Sequence, residues 1–305
     1  MNRVHALALA LSFTTLVGAC DKKPKAKEAP PPATVTMPAD HTPPVVAPPG
    51  TTAAPITAGL KLPLAERKVG VRWTKTDDLT SNMVLTAPGD RKVTIVGKRH
   101  YRDEFEVVEL GPDGMVMKLK ASYPEREEGE TVDGKAKPKP TPIAGKSYIV
   151  WAKDGKVEAT LADGGAVSPE ELAELADDLD ELGKPRPMDH FMSGRTWKIG
   201  EPYQLTADQL AQLAAVKGDK APKQVGITLT LTSVDAGTAV FAMQTAMQVD
   251  GKADLKIDLS GKISVDVATG RPTAVELSGP LKGEAAGMPV EGTMSGTITY
   301  TYPAS

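Results

Sequence analysis

The chain has 305 residues, of which 40% are hydrophobic, 25% charged and 4% aromatic; it carries a formal charge of −3 and one cysteine. Charges of both signs alternate along it, which speaks against a nucleic-acid partner. A single cysteine excludes an intrachain disulfide, so stability has to come from packing.

Taken in chain order, the first signal is an apolar run from Ala6 to Val17, preceded by Arg3 and His5 and ending in Leu16-Val17-Gly18-Ala19-Cys20. It is too short to span a bilayer and reads as a secretion signal over residues 1–19. Small Gly18 and Ala19 before Cys20 resemble the lipobox of bacterial prolipoproteins. That resemblance implies cleavage before Cys20, lipidation of its thiol and acylation of the new N-terminus. The partner it implies is a membrane held through the lipid on Cys20; two or three acyl chains at about 0.8 kcal/mol per buried CH2 give stable attachment. Loss of Arg3 with the signal leaves a charge of about −4. Asp21 resembles an inner-membrane retention signal and Lys22 weakens that reading, so inner and outer membrane both stay open.

From the lipidated Cys20 to residue 58 the chain is rich in Pro, Ala, Thr and Val, with Pro30-Pro31-Pro32, Pro43-Pro44 and Pro48-Pro49. Such a composition buries too little apolar area to fold, and in the polyproline II conformation, at about 3.1 Å per residue, it forms a tether reaching roughly 100 Å. A polyproline ligand for a partner is the functional alternative.

The rest is expected to be mainly β: antiparallel curved sheets or open barrel-like halves with two short amphipathic helices packed on them. Strand signals fall at 93–96, 104–110, 115–119, 148–151, 227–231, 239–243, 263–267 and 297–302. Hairpins are expected at Gly111-Pro112-Asp113-Gly114, Asp154-Gly155 and Thr269-Gly270. Residues 124–142, rich in Glu, Lys, Gly and Pro, read as a long mobile loop, and a functional flap is the alternative. The first helix, near 168–183, starts with Ser168 as cap, Pro169 and Glu171, and carries Leu172, Leu175, Leu179 and Leu182 as one stripe. The second, near 206–217, starts with Thr206 and Gln209 and buries Leu210 and Leu213.

Two halves, 59–190 and 191–305, look alike. Val69-Gly70-Val71-Arg72-Trp73 parallels Ile199-Gly200-Glu201-Pro202-Tyr203, residues 110–117 parallel 234–241, and residues 145–151 parallel 261–267, in the same order. Chance similarity among glycine-containing hairpins is the competing explanation.

Motifs for chemistry are sparse. Residues 129–136 have the glycine and lysine spacing of a phosphate loop, but Ala136 stands where a Ser or Thr would ligate magnesium. Of four histidines, His5 and His41 fall in the signal and the tether, leaving His100 and His190. Asp189-His190 with Ser193 lacks the strained elbow of a nucleophile. Lys98-Arg99-His100-Tyr101-Arg102 runs into Asp103 and Glu104 and reads as a solvated strand face. Neither Asp250, Asp254 and Asp258 nor Asp177, Asp178 and Asp180 has calcium-loop spacing; the latter set reads as the outer face of a helix. Met83, Met115, Met117, Met243, Met247, Met288 and Met294 accompany strand-like segments, as core or as the lining of an apolar site.

The pattern resembles periplasmic lipoproteins whose open barrels or curved sheets are covered by helices, lipoprotein carriers among them. The expectation is an exported, lipid-anchored envelope protein that is not an enzyme and has no cofactor, no metal and no catalytic residues. Its folded part would lie in the periplasm or at the surface and act as a binding or scaffold module for an envelope protein or polymer. The alternative is a carrier of an apolar ligand or lipid, and the third reading is an unrecognised hydrolase.

Overall fold

A computed structural model describes residues 59–139, 141–217, 223–249, 253–285 and 287–303. Cys20 and the tether lie outside the described residues. Within them the chain forms one antiparallel sheet of twelve strands, open rather than closed into a barrel. The first half contributes β2 (Arg72–Ala87), β3 (Arg91–Leu110), β4 (Val116–Val132), β5 (Lys135–Lys139), β6 (Ser147–Lys153) and β7 (Lys156–Leu161). The second contributes β9 (Pro202–Gln204), β10 (Lys223–Asp235), β11 (Thr238–Val249), β12 (Ala253–Asp266), β13 (Pro272–Ala285) and β14 (Met288–Thr301). A separate pair joins β1 (Leu60–Lys61) to β8 (Thr196–Trp197).

The order across the sheet is β7-β6-β4-β3-β2-β14-β13-β12-β11-β10-β9, with β5 on β4. Each half is a meander, and the two are sewn together at the centre by β14 and β2, paired from Val290 with Leu85 to Thr301 with Thr74. Two of the three sequence parallels fall on equivalent places in the two meanders, whereas 145–151 starts in the turn before β6 and 261–267 in the middle of β12. Gly70 donates its N–H to the Val107 carbonyl at the end of β3 and Gly200 to the Leu231 carbonyl near the end of β10, both at 2.8 Å. The 110–117 and 234–241 segments are the β3–β4 and β10–β11 hairpins.

Three helices occur in the described residues instead of the two expected: α1 (Pro169–Asp178), α2 (Pro187–Ser193) and α3 (Ala207–Lys217). α1 lies on β7, α3 on β10 and α2 against α3. Both expected capping boxes form: Ser168 Oγ accepts from Glu171 N–H while Glu171 accepts from Ser168 N–H, and Thr206 and Gln209 do the same. α1 stops before Leu179 and Leu182, which are buried from the turn that follows. Aspartates 177 and 178, with no basic residue in the last turn, oppose the negative end of the helix dipole and favour the early stop. α2 escapes a sequence reading because it is short and opens on Arg186 without a side-chain cap.

Residues 124–139 are not a loop. Pro124 to Val132 prolongs β4 and Lys135–Lys139 is β5, joined by a tight turn in which Asp133 and Gly134 both have positive φ. Their charged residues point mainly to solvent on an edge ribbon, which hides the strand pattern from a hydrophobicity count. Strong coiling elsewhere depends on glycine: a Cβ on Gly261 of β12 would overlap the Glu276 carbonyl of β13, and one on Gly279 the Asp258 carbonyl. The curl brings the inner face into one core, in which Trp197 meets Phe241 edge-on with centroids 4.8 Å apart.

Candidate functional site

The inner walls of the two halves differ in chemistry. On the second, alternate residues of β10 to β14 are apolar, among them Leu229, Phe241, Met247, Ile257 and Leu281, all buried. On the first, the alternation that buries Trp73, Met83 and Phe105 also buries Lys75, Asp77 and Asp103. Register lines these residues up across the strands: Lys75 faces Asp103, Asp77 faces Tyr101, and Tyr101 in turn faces Arg126. A band of charge therefore crosses β2, β3 and β4 between two apolar zones.

Arg126, its side chain 2% exposed, is the centre of this band. Its Nε and Nη2 donate to the two carboxylate oxygens of Asp103 at 2.9 and 3.0 Å. It also reaches α1, pairing with Asp178 at 3.0 Å and Glu174 at 3.3 Å. The guanidinium is stacked between the rings of Tyr101 and Tyr123, 4.4 and 4.3 Å from their centroids. Lys75, 1% exposed, lies 3.6 Å from Asp103 and 3.8 Å from Asp77, and Arg99 binds Asp77 at 2.7 Å. Burial pushes the Asp103 carboxyl up from its ordinary value while Arg126 and Lys75 pull it back. The Arg126 guanidinium is held above its ordinary value by Asp178 and Asp103 against the opposing effect of burial.

α1 is held at a second point. Glu171 accepts from Lys146 at 2.6 Å and from Tyr148 at 2.7 Å. Together with the Ser168 cap, and with Lys146 contributing most, these bonds lower its carboxyl to about 2. Both contacts clamp the helix to the sheet. Asp178 is thus an inward ligand of Arg126, not part of a solvated helix face. The stretch 98–104 is solvated on one side only: Arg99, Tyr101 and Asp103 point inward, and their even-numbered neighbours outward.

His100, 42% exposed, lies on the outer face between Asp78 at 2.6 Å and Glu125 at 3.6 Å. The hydrogen bond that its Nδ1–H donates to Asp78 raises its pKa above the ordinary value, with Glu125 adding to the effect. His190 is exposed on α2, and the Ser193 hydroxyl donates to the Asp189 backbone carbonyl at 2.8 Å. The structure does not bring His190 and Ser193 together as base and nucleophile. Among the described residues no group of three or more His, Cys, Asp or Glu is placed to hold a metal ion. Asp254 and Asp258 stand on β12, and Asp250 lies outside the described residues. Met83, Met243, Met247 and Met294 are core, while Met115, Met117 and Met288 are partly exposed.

The parity of the sequence holds the signal for the buried band. Lys75, Asp77, Arg99 and Asp103 share odd positions with Trp73, Met83, Phe105 and Val107, and a strand that buries the second set buries the first.

No protein-family model matches the chain, and no curated protein matches it. Among solved structures it is similar to one of lipid–protein interactions in lipovitellin, at a TM-score of 0.41 and 7% identity over 79% of this chain and 26% of that one. The chain spans about a quarter of the length of that structure.

Proposed function

We propose that the chain is a lipid-anchored bacterial envelope protein, held through Cys20, whose folded part is a non-catalytic binding module standing off its membrane on the 20–58 tether. The observation that carries the binding reading is the occupied interior of the first half, where Arg126, its carboxylates and two tyrosines fill the concave wall and fix α1 on it. Such a wall offers a ligand neither apolar surface nor an open acid–base pair. Recognition then falls to the outside of the sheet and its ends. A carrier of an apolar ligand is the second reading, favoured by the apolar wall around Phe241, Met247 and Ile257.

The test compares the full chain with its Cys20→Ala variant in a bacterial host supplied with a clickable fatty acid. Label on the wild type only, with the variant released from membranes, is expected; label on both, or on neither, removes the anchor. Purified Cys20→Ala chain is then extracted with organic solvent. The binding-module reading expects no stoichiometric lipid in the extract, and one equivalent per chain would replace it with the carrier.

A further inference from the structure

At one end of the seam the segment leading into β2 crosses over the β12–β13 turn. Gly270 in that turn lies so close to the Pro63 carbonyl that a Cβ would overlap it, and Arg271 donates to the Glu66 carbonyl at 3.2 Å. Between this segment, the sheet and the start of α2 is a cavity of about 50 Å3. Its lining includes Arg67, Arg186 and Arg271, with the rings of Trp73 and Tyr302.

The three guanidiniums differ in how they are matched. Arg186 is paired with Asp189. Arg271 lies 5.0 Å from the centre of the Tyr302 ring and uses its Nη2 on the Glu66 backbone. Arg67 makes no hydrogen bond or ion pair among the described residues. The nearest acid in sequence, Glu66, turns instead to Lys68 at 3.1 Å in solvent. Asp189 and Glu181 act on Arg67 only through space, and burial together with the like charge of Arg186 lowers its pKa to about 9. The Arg67 side chain is partly exposed and lines the cavity without a protein acceptor for its N–H groups among the described residues. Three guanidiniums thus line one cavity, and among the described residues Arg186 is the one of them ion-paired with a carboxylate, that of Asp189.

We propose that this cavity binds a tetrahedral oxyanion, a phosphate group, gripped by Arg67 with Arg186 and Arg271 alongside. The volume is a few times the ~10–15 Å3 a single water requires, which leaves room for one such anion. Planar guanidiniums with parallel N–H donors are the side chains that match phosphate oxygens two at a time. The same chemistry is offered by free phosphate and by a phosphomonoester lipid headgroup.

The full chain, in a non-ionic detergent at fixed ionic strength, is titrated with inorganic phosphate and, separately, with micelles doped with phosphatidic acid; phosphatidylcholine is the control. Phosphorus NMR line broadening reports binding. Saturable broadening is expected with at least one probe: with phosphate, the site takes a soluble anion; with phosphatidic acid alone, it takes a headgroup. Arg67→Gln is expected to weaken binding about tenfold or more, the worth of a charge-assisted hydrogen bond, while the melting temperature stays within a few degrees. If that variant fails to fold, Arg271→Gln carries the same expectation. No saturation with either probe, or wild-type affinity in the folded variant, overturns the proposal.

Discussion

Replacing Arg126 by methionine removes the one cation that joins β3, β4 and α1. Methionine keeps much of the volume, so the loss is electrostatic: Asp103 stays buried with Lys75 as its remaining cationic neighbour, and Asp178 and Glu174 on α1 lose their cationic partner on the sheet. Breaking a buried pair from one side costs about 3–5 kcal/mol. For a folded part of this size each kcal/mol is about 2–4 °C in melting temperature, so a fall of roughly 6–20 °C is expected. Thermal unfolding of the full chain in detergent, followed by tryptophan fluorescence, measures the fall, and urea unfolding the free energy. The pH dependence is a second readout. The Asp103 carboxyl is already raised in the folded state, and without Arg126 it rises further. A carboxyl with a raised folded pKa penalises folding only when ionised. The deficit is therefore small below the unfolded value near 4 and grows as pH rises through the folded value. Adding Asp103→Asn removes the stranded charge and is expected to recover much of the stability at pH 7. A loss below about 1 kcal/mol, or one that is the same at pH 4.5 and pH 7, would falsify the view that Arg126 neutralises buried carboxylates.

Two further outcomes are expected. His100 should titrate above 6.5 by proton NMR, and Asp78→Asn should bring it down; its contribution to stability, under about 1 kcal/mol for so exposed a pair, is present below the unfolded value and disappears as pH rises through the folded one. A His100 value at or under 6.5 refutes the bridge. Gly261→Ala should cost about 1–3 kcal/mol or more, because its Cβ meets a neighbouring carbonyl, whereas Gly226→Ala on β10, with nothing within 4 Å, should be neutral or stabilising. Equal effects of the two substitutions would show that curvature at β12–β13 does not depend on the missing side chain.

The sequence marked each place where apolar alternation and turn chemistry coincide. The segments at 148–151 and 227–231 lie inside β6 and β10, the one at 263–267 runs one residue past the end of β12, and all three expected hairpin turns join consecutive strands. Strand length was less legible, since β3 and β4 run on for 20 and 17 residues through stretches rich in Arg, Glu and Lys. Hydrophobicity vanishes there for two reasons: β5 and the end of β4 form an exposed ribbon, and the inward charges are paired, Arg126 with Asp103 and Arg99 with Asp77. Such pairing joins residues far apart in sequence, so pattern alone reveals the parity of a charge but not its partner. β2 was missed for the same reason, with Lys75 and Asp77 on its buried side. Arg67 carries no local signal at all; its place beside Arg186 and Arg271 arises from a chain crossing.

The central pairing of β14 with β2 has a consequence for the order of assembly. As the chain is made, β2 can form hairpins outward with β3 and β4 at once, yet its other edge has no partner until the last strand arrives. Throughout that interval a long row of backbone donors and acceptors stands open in what will be the middle of the sheet, a template for a second chain. Closure needs contacts between segments at nearly the full sequence separation of the folded part, the slowest kind to form. Arg91, Lys92 and Lys98 on the neighbouring strand, and the charged Glu291 on β14 itself, keep the waiting ribbon hydrated. A chain lacking the residues from Met288 onward would keep the other strands of the sheet and leave the inner edge of β2 without its partner.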